Sequence, residues 1–230
     1  MGHEHTGTDD NSGFGTALST IAPGRQQALL ARLFGLLAAG ERLAQHLARL
    51  QMRLAPTRRE ARFLRAQVRQ EQLHAGVFEL AQRRLTDAPE PLDVLYEPFR
   101  QQVQRAAAVG DYYECIVATQ VVLEHVGESL LRRLDVGMER RGAGLRRLRR
   151  LFLAQESAHH AFGQRVLREA LADGRCDPLW LARCAESYLS HVPQWFASEH
   201  ALSEAYDFDA DTLVDSIRNE LVLLQDLHQP

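Results

Sequence analysis

The chain has 230 residues, 45 % of them hydrophobic, and a formal net charge of −3. That is enough for one domain with a sizeable core, and the balance excludes a strongly basic nucleic-acid binder and a chain too polar to fold. No apolar run is long enough to span a membrane, and Cys115, Cys176 and Cys184 are too few and too scattered for a disulfide framework or a cysteine-based zinc site, which predicts a reducing, cytoplasmic setting.

Residues 1–22 read as a flexible leader, polar and Gly-rich at its start, without the apolar segment of a secretion signal. His3 and His5 within it read as part of a floppy tail. From there apolar residues recur at helical spacing, with no sustained strand alternation. The expected fold class is all-α, a single domain over 23–230 with a ligand bundle at 25–173 and additional C-terminal helices at 178–228. The spacing predicts helices over 25–53 and 58–86, divided at Pro56. The segment 86–91 breaks the pattern, and 92–109 reads as a crossover helix ended by Gly110. A third bundle helix starts after the N-cap Asp111 and runs to about 134. A loop is expected over 137–144, and a fourth helix over 144–173 stops at Asp173-Gly174. Asp177-Pro178 opens another helix to about 190. Pro193 interrupts it, a short helix follows, and 209–227 forms a final amphipathic helix.

Six residues stand out on this frame: Glu41, Glu71, His74, Glu124, Glu156 and His159. They read as a lone Glu, Glu-x-x-His, a lone Glu, and Glu-x-x-His, the ligand order of four-helix bundles that hold two metals between carboxylates. One Glu-x-x-His alone is a weak signal, but the spacing strengthens it. Glu41 and Glu71 are symmetric about Pro56, and Glu124 and Glu156 about Arg140. At ~1.5 Å per residue, each pair returns to one level of an antiparallel hairpin. Three-residue spacing sets each Glu and His on one helix face, and even the preceding residue repeats, as Gln70-Glu71 and Gln155-Glu156. Glu41 and Glu124 sit in apolar surroundings, where an uncompensated carboxylate is costly. Four carboxylates and two imidazoles suit two iron ions, with manganese as the other metal this donor set accepts. The long stretch between Glu71 and Glu124 supplies the crossover that a ferritin-like bundle needs between its second and third helices.

Around the ligands, Gln120 lies one turn before Glu124 and is placed to hydrogen-bond a ligand carboxylate. Glu128, one turn after, reads either as a further acidic group near the metals or as a polar helix contact. Phe34, Leu37, Phe78, Val117, Val121 and Phe152 lie within two turns of ligands and read as substrate-channel wall or core. His125 and His160 adjoin ligands but point about 100° away around the helix. The 27 basic residues are all Arg. Eight fall between Arg132 and Arg150, a solvated turn or a docking patch for an acidic partner such as an electron-donor protein.

The ligand order, together with Gly40-Glu41, Glu71-Gln-Leu-His74, Ala106-Ala-Ala108 before Gly110, Cys115 and Glu156-Ser-Ala-His159-His-Ala-Phe162-Gly163, resembles the ferritin-like di-iron family, and within it the aldehyde-deformylating oxygenases. The resemblance runs over nearly the whole chain but is sparse in identity. Ala48 and Leu131 stand where members carry Tyr, and Leu95-Tyr96 where they carry paired Phe. The demethoxyubiquinone hydroxylases share comparable ligand spacing. The resemblance implies a non-heme di-iron oxidoreductase that activates dioxygen, with the six residues as ligands and an apolar substrate, such as a long-chain aldehyde or acyl-derived compound. A small-molecule hydroxylase or N-oxygenase on the same site, an iron-handling ferroxidase or peroxide scavenger, and a metal-free helical scaffold are the competing readings. No nucleic acid and no membrane span are expected.

Overall fold

The computed structural model describes residues 23–140, 145–206 and 208–226. All of their regular structure is helical, and four long helices make a ferritin-like bundle. Helices α1 (Pro23–Leu54) and α2 (Arg58–Leu85) form the first hairpin. Its turn is set by a capping box, in which the Thr57 hydroxyl accepts from the Glu60 amide at 3.2 Å and the Glu60 carboxylate accepts from the Thr57 amide at 3.1 Å. The crossover is a 3-10 turn (Asp93–Tyr96) followed by α3 (Glu97–Ala108). Gly110, at φ 82°, takes the left-handed conformation that lets the chain turn back. Asp111 then caps the third bundle helix, accepting from the Glu114 amide at 2.9 Å.

That third helix, α4 over 112–140, is not uniform. It is α-helical over Tyr112–Ile116, π-helical over Val117–Leu123, and α-helical again over Glu124–Arg140. It runs through Gly137 and Met138, so the loop expected over 137–144 begins later than its glycine suggested. One Gly costs a helix only about 1 kcal/mol, and the buried Leu134 and half-buried Met138 anchor this turn to the core. The rest of that loop, with Arg141, lies outside the described residues, as does the 1–22 leader. Helix α5 (Arg146–Ala172) closes the bundle and ends at Gly174, φ 67°, where the Arg175 amide donates back to the Ala170 carbonyl at 2.8 Å.

Four shorter helices follow: α6 (Pro178–Leu189), α7 (Val192–Phe196), α8 (His200–Ala205) and α9 (Ala210–Asp226). Pro193 does not interrupt a helix. It sits in the first turn of α7, where its missing N–H costs nothing. The extension is fastened to the crossover by aromatic packing. Phe99 lies 5.2 Å from both Tyr188 and Trp195, and Tyr96 lies 5.0 Å from Trp195. No described helix is long and apolar enough to cross a membrane.

The buried stripe of α2 is unusual. Its inward residues are Leu64, Gln67, Glu71, His74, Ala75, Phe78 and Gln82, four of them polar. The helical period is kept, yet half the stripe is not hydrophobic, so something other than apolar burial must favour this packing.

The α4–α5 contact also fixes a glycine. A Cβ on Gly163 would stand 2.3 Å from Cβ of Gln120 in the π-helical segment. Helix propensity favours Ala by about 1 kcal/mol, but neither partner of this clash is a flexible chain end. Gly163→Ala is therefore expected to destabilise the fold by about 1–3 kcal/mol, read as a lower urea midpoint.

Candidate metal centre

The structure brings all six sequence-predicted residues to one point. Glu41 comes from α1, Glu71 and His74 from α2, Glu124 from α4, and Glu156 and His159 from α5. They form two groups whose ligand atoms converge, Glu41, Glu71, His74 and Glu156 in one, and Glu71, Glu124 and His159 in the other. Nδ1 of His74 lies 2.9 Å from Glu156 Oε1, 3.3 Å from Glu71 Oε2 and 3.4 Å from Glu41 Oε2. Nδ1 of His159 lies 3.0 Å from Glu71 Oε1, 3.5 Å from Glu124 Oε2 and 3.9 Å from Glu156 Oε2. Glu71 and Glu156 thus each offer one oxygen to either half, while Glu41 and Glu124 each belong to one half. The centre has the approximate two-fold pattern of the two hairpins that build it.

All six are at most 6 % exposed. Burying a charge costs several kcal/mol, and a whole domain has only about 5–15 kcal/mol to spare, so four carboxylates here demand compensation. Burial pushes the carboxyls of Glu41 and Glu124 well above their ordinary range, with neighbouring carboxylate charges adding to the shift. Burial also opposes charge on His74, but the adjacent Glu156, Glu41 and Glu71 outweigh it and raise that imidazole to about 12. His159 is likewise held well above its ordinary value against the cost of burial, chiefly by Glu71. Glu71 and Glu156 stay below the usual carboxylate range because the imidazoles overcome their burial. Without a metal, protons on the two rings supply the positive charge that the carboxylates require.

The inward polar atoms are left without aligned partners among themselves. Both oxygens of Glu71, Glu156 Oε1, and Nδ1 of His74 and His159 are buried without an aligned hydrogen bond, despite their close approaches. The outer ring nitrogens, by contrast, are satisfied. Nε2 of His74 faces Gln155 Oε1 at 2.8 Å, and Nε2 of His159 faces Gln70 Oε1 at 2.9 Å. An imidazole whose outer N–H is held by an acceptor presents its other lone pair to a metal. Four carboxylates and two such imidazoles fit two iron or manganese ions.

The two glutamines were visible only as the repeated Gln-Glu pairs of the sequence, each orienting the His of the opposite hairpin. Gln67, one turn before Glu71, was missed. Its amide donates to Glu124 Oε1 at 2.6 Å. That role was expected of Gln120, which instead donates to Gln51 at 3.0 Å and to Gln67 at 3.1 Å. The cause is the π-helical segment. The Glu124 amide bonds back to the Thr119 carbonyl, and this wider turn carries Gln120 off the face of Glu124. Glu128 does not join the centre either. Its Oε1 accepts from Arg132 at 2.5 Å and from the Ser157 hydroxyl at 2.5 Å, so it is a helix-surface contact. His125 and His160 point away from the centre, as expected.

The predicted channel residues divide between two cavities. One, of about 390 Å³ with its open space, is lined by Leu37 together with Gly40, Tyr96, Leu130 and the carboxylate-bearing Glu41, Glu124 and Glu156. The other, of about 540 Å³, is lined by Phe34, Phe78 and Phe152 with the Asp135–Arg149 pair at its edge. Phe152 packs on the His74 ring at 4.1 Å and separates this cavity from the centre. Val117 and Val121 are core and line neither. The Arg cluster is partly absorbed by its own fold. Arg132 pairs with Glu128, Arg146 with Glu139 and Arg149 with Asp135, and Arg133 lies over the Phe208 ring.

Fold and centre together define a ferritin-like helical bundle with buried carboxylate–imidazole groups of the kind that hold metal. No protein-family model and no curated protein matches the chain. Among solved structures the chain is similar to a Synechococcus protein described as protein 19 with aldehyde deformylating oxidase activity, with a TM-score of 0.72 and 19 % identity over 88 % of this chain and 91 % of that one. At this identity the likeness establishes the fold.

Proposed function

We propose that the chain is a non-heme di-iron oxidoreductase that activates dioxygen and acts on an apolar substrate, a long-chain aldehyde or related acyl-derived compound being the favoured class. The observation that carries this reading is the set of orphaned, inward-facing donor atoms on Glu71, His74, Glu156 and His159, with the outer ring nitrogens already held. Two irons bound by the six residues supply the redox chemistry, and an electron-donor protein supplies the electrons. The chain's own contribution is to exclude water and to orient. Glu71 and Glu156, whose oxygens approach both imidazoles, and Glu41 and Glu124, which each belong to one half, would hold the metals with His74 and His159. Gln67 fixes the Glu124 carboxylate, and Gln155 and Gln70 fix the two rings.

The cavity that reaches Glu41, Glu124 and Glu156 supports this substrate class. Apart from those carboxylates and the Tyr96 hydroxyl, its wall is hydrocarbon and glycine. Tyr96 directs that hydroxyl to the Leu36 carbonyl at 3.3 Å. No basic side chain lines it to receive an anionic substrate, whereas an apolar chain is desolvated there. The similar Synechococcus structure carries a name consistent with this class.

Leu37→Trp fills this cavity and is expected to cut product yield from a long-chain aldehyde by roughly tenfold or more, about 1.4 kcal/mol of binding, while metal content stays unchanged. Turnover confined to small polar compounds in the unaltered protein contradicts the apolar class and favours a small-molecule hydroxylase. Dioxygen reduction with no organic product favours the iron-handling reading.

A further inference from the structure

A second convergent group lies behind the centre, on the outer side of the same two helices. It consists of His125 on α4, His160 on α5 and Glu220 on α9. Glu220 offers one oxygen to each ring, Oε2 at 3.1 Å from His125 Nδ1 and Oε1 at 2.6 Å from His160 Nε2. The ring centroids are 5.3 Å apart. The side-chain amide of Gln164 lies 3.1 Å from His160 Nε2 and also bonds Glu220.

The outer nitrogens decide what this group is suited to. His160 Nδ1 faces the Gln120 backbone carbonyl at 2.7 Å. A carbonyl brings no hydrogen, so Nδ1 must carry the proton, and Nε2 is left to face inward. His125 Nε2 faces the Ser216 hydroxyl at 3.2 Å, which leaves its Nδ1 facing inward. Both imidazoles are therefore held from behind, as metal-bound imidazoles are. Two imidazoles, once an ion displaces any proton from their inward nitrogens, and one carboxylate, with an amide or water as a further ligand, match the donor set of a zinc-type site. His160 is buried, while the side chains of His125 and Glu220 are 16 % and 19 % exposed, which leaves a path for an ion.

We infer that His125, His160 and Glu220 form a third metal site, for one divalent ion of the zinc type, that fastens α9 to the outer face of α4 and α5. It is separate from the carboxylate centre, shares no ligand with it and does not depend on its assignment. Through the Gln120 carbonyl it grips the π-helical segment, so the ion clamps the C-terminal helix to the stretch of α4 that leads into Glu124.

The test uses the full-length protein, stripped by chelator and titrated with Zn²⁺ alone. The unaltered chain is expected to take up about one ion more than Glu220→Gln. The carboxylate centre and the leader histidines are common to both and cancel in the difference. Ser216→Ala removes only the support behind His125. It is expected to weaken this one ion by roughly 10–100-fold, and it serves where Glu220→Gln alters folding. Zn²⁺ should also raise the melting temperature of the unaltered protein more than that of Glu220→Gln. Equal zinc uptake by the unaltered protein and Glu220→Gln, or unchanged affinity in Ser216→Ala, overturns the site and leaves the group as an ion pair that only ties the helices.

Discussion

Glu71→Ala is expected to remove most of the metal from the protein, not half of it. Glu71 belongs to both convergent groups and faces both imidazoles, at 3.3 Å from His74 and 3.0 Å from His159. Glu41 belongs to one group. With the protein loaded with iron alone, content at the centre should fall from about two ions per chain to well under one in Glu71→Ala. Glu41→Ala should keep about one, in the half built by Glu71, Glu124 and His159. Elemental analysis after gel filtration gives the counts. Dioxygen-dependent turnover should vanish in Glu71→Ala, since neither half is complete. Equal losses from the two substitutions would show that Glu71 does not span the halves.

Removing the metal should lower the melting temperature at pH 7, and the difference should narrow toward pH 5. An ion present at ~1000-fold over its Kd stabilises the fold by about 4 kcal/mol, or roughly 8–16 °C for a domain of this size. Acidification weakens that gain because protons compete for the ligands. The metal-free form moves the other way. Glu41 and Glu124 have folded pKa values raised above 4.5, so the folded state binds more protons than the unfolded chain and gains stability as pH falls toward 4.5. His74 and His159 are raised above 6.5. Their contribution is complete below 6.5 and is lost as pH rises, toward about 12 for His74. Glu71 and Glu156 are depressed, so they take stability away only below 4.5. The usable window is therefore pH 7 to 5. A gap that widens on acidification contradicts clustered buried carboxylates.

The convergence of the six residues was legible in the sequence because each sits at a matching level of its helix. Glu41 and Glu71 about Pro56, and Glu124 and Glu156 about Arg140, encode those levels in plain spacing. The crossover and the C-terminal helices were legible from Pro, Gly and N-cap residues, several of which cap the elements as expected. What escaped was set by tertiary contact. The π-helical Val117–Leu123 is buried throughout, Thr119 and Gln120 included, and has no solvent-facing side, so no period marks where the ladder widens. The displaced Gln120 and the substituting Gln67 follow from that one local change. Glu128 and much of the Arg cluster are explained by partners that no local pattern announces. Glu220 lies 60 residues from His160, and only the packing of α9 brings them together.

Anomalous scattering from a crystal of the iron-loaded protein tests the central claim most directly. Two peaks at the iron edge, roughly 3.5–4 Å apart, are expected among Glu41, Glu71, His74, Glu124, Glu156 and His159, one beside each Nδ1. No peak at these residues, or a single peak at full loading with iron, would contradict the two-metal centre.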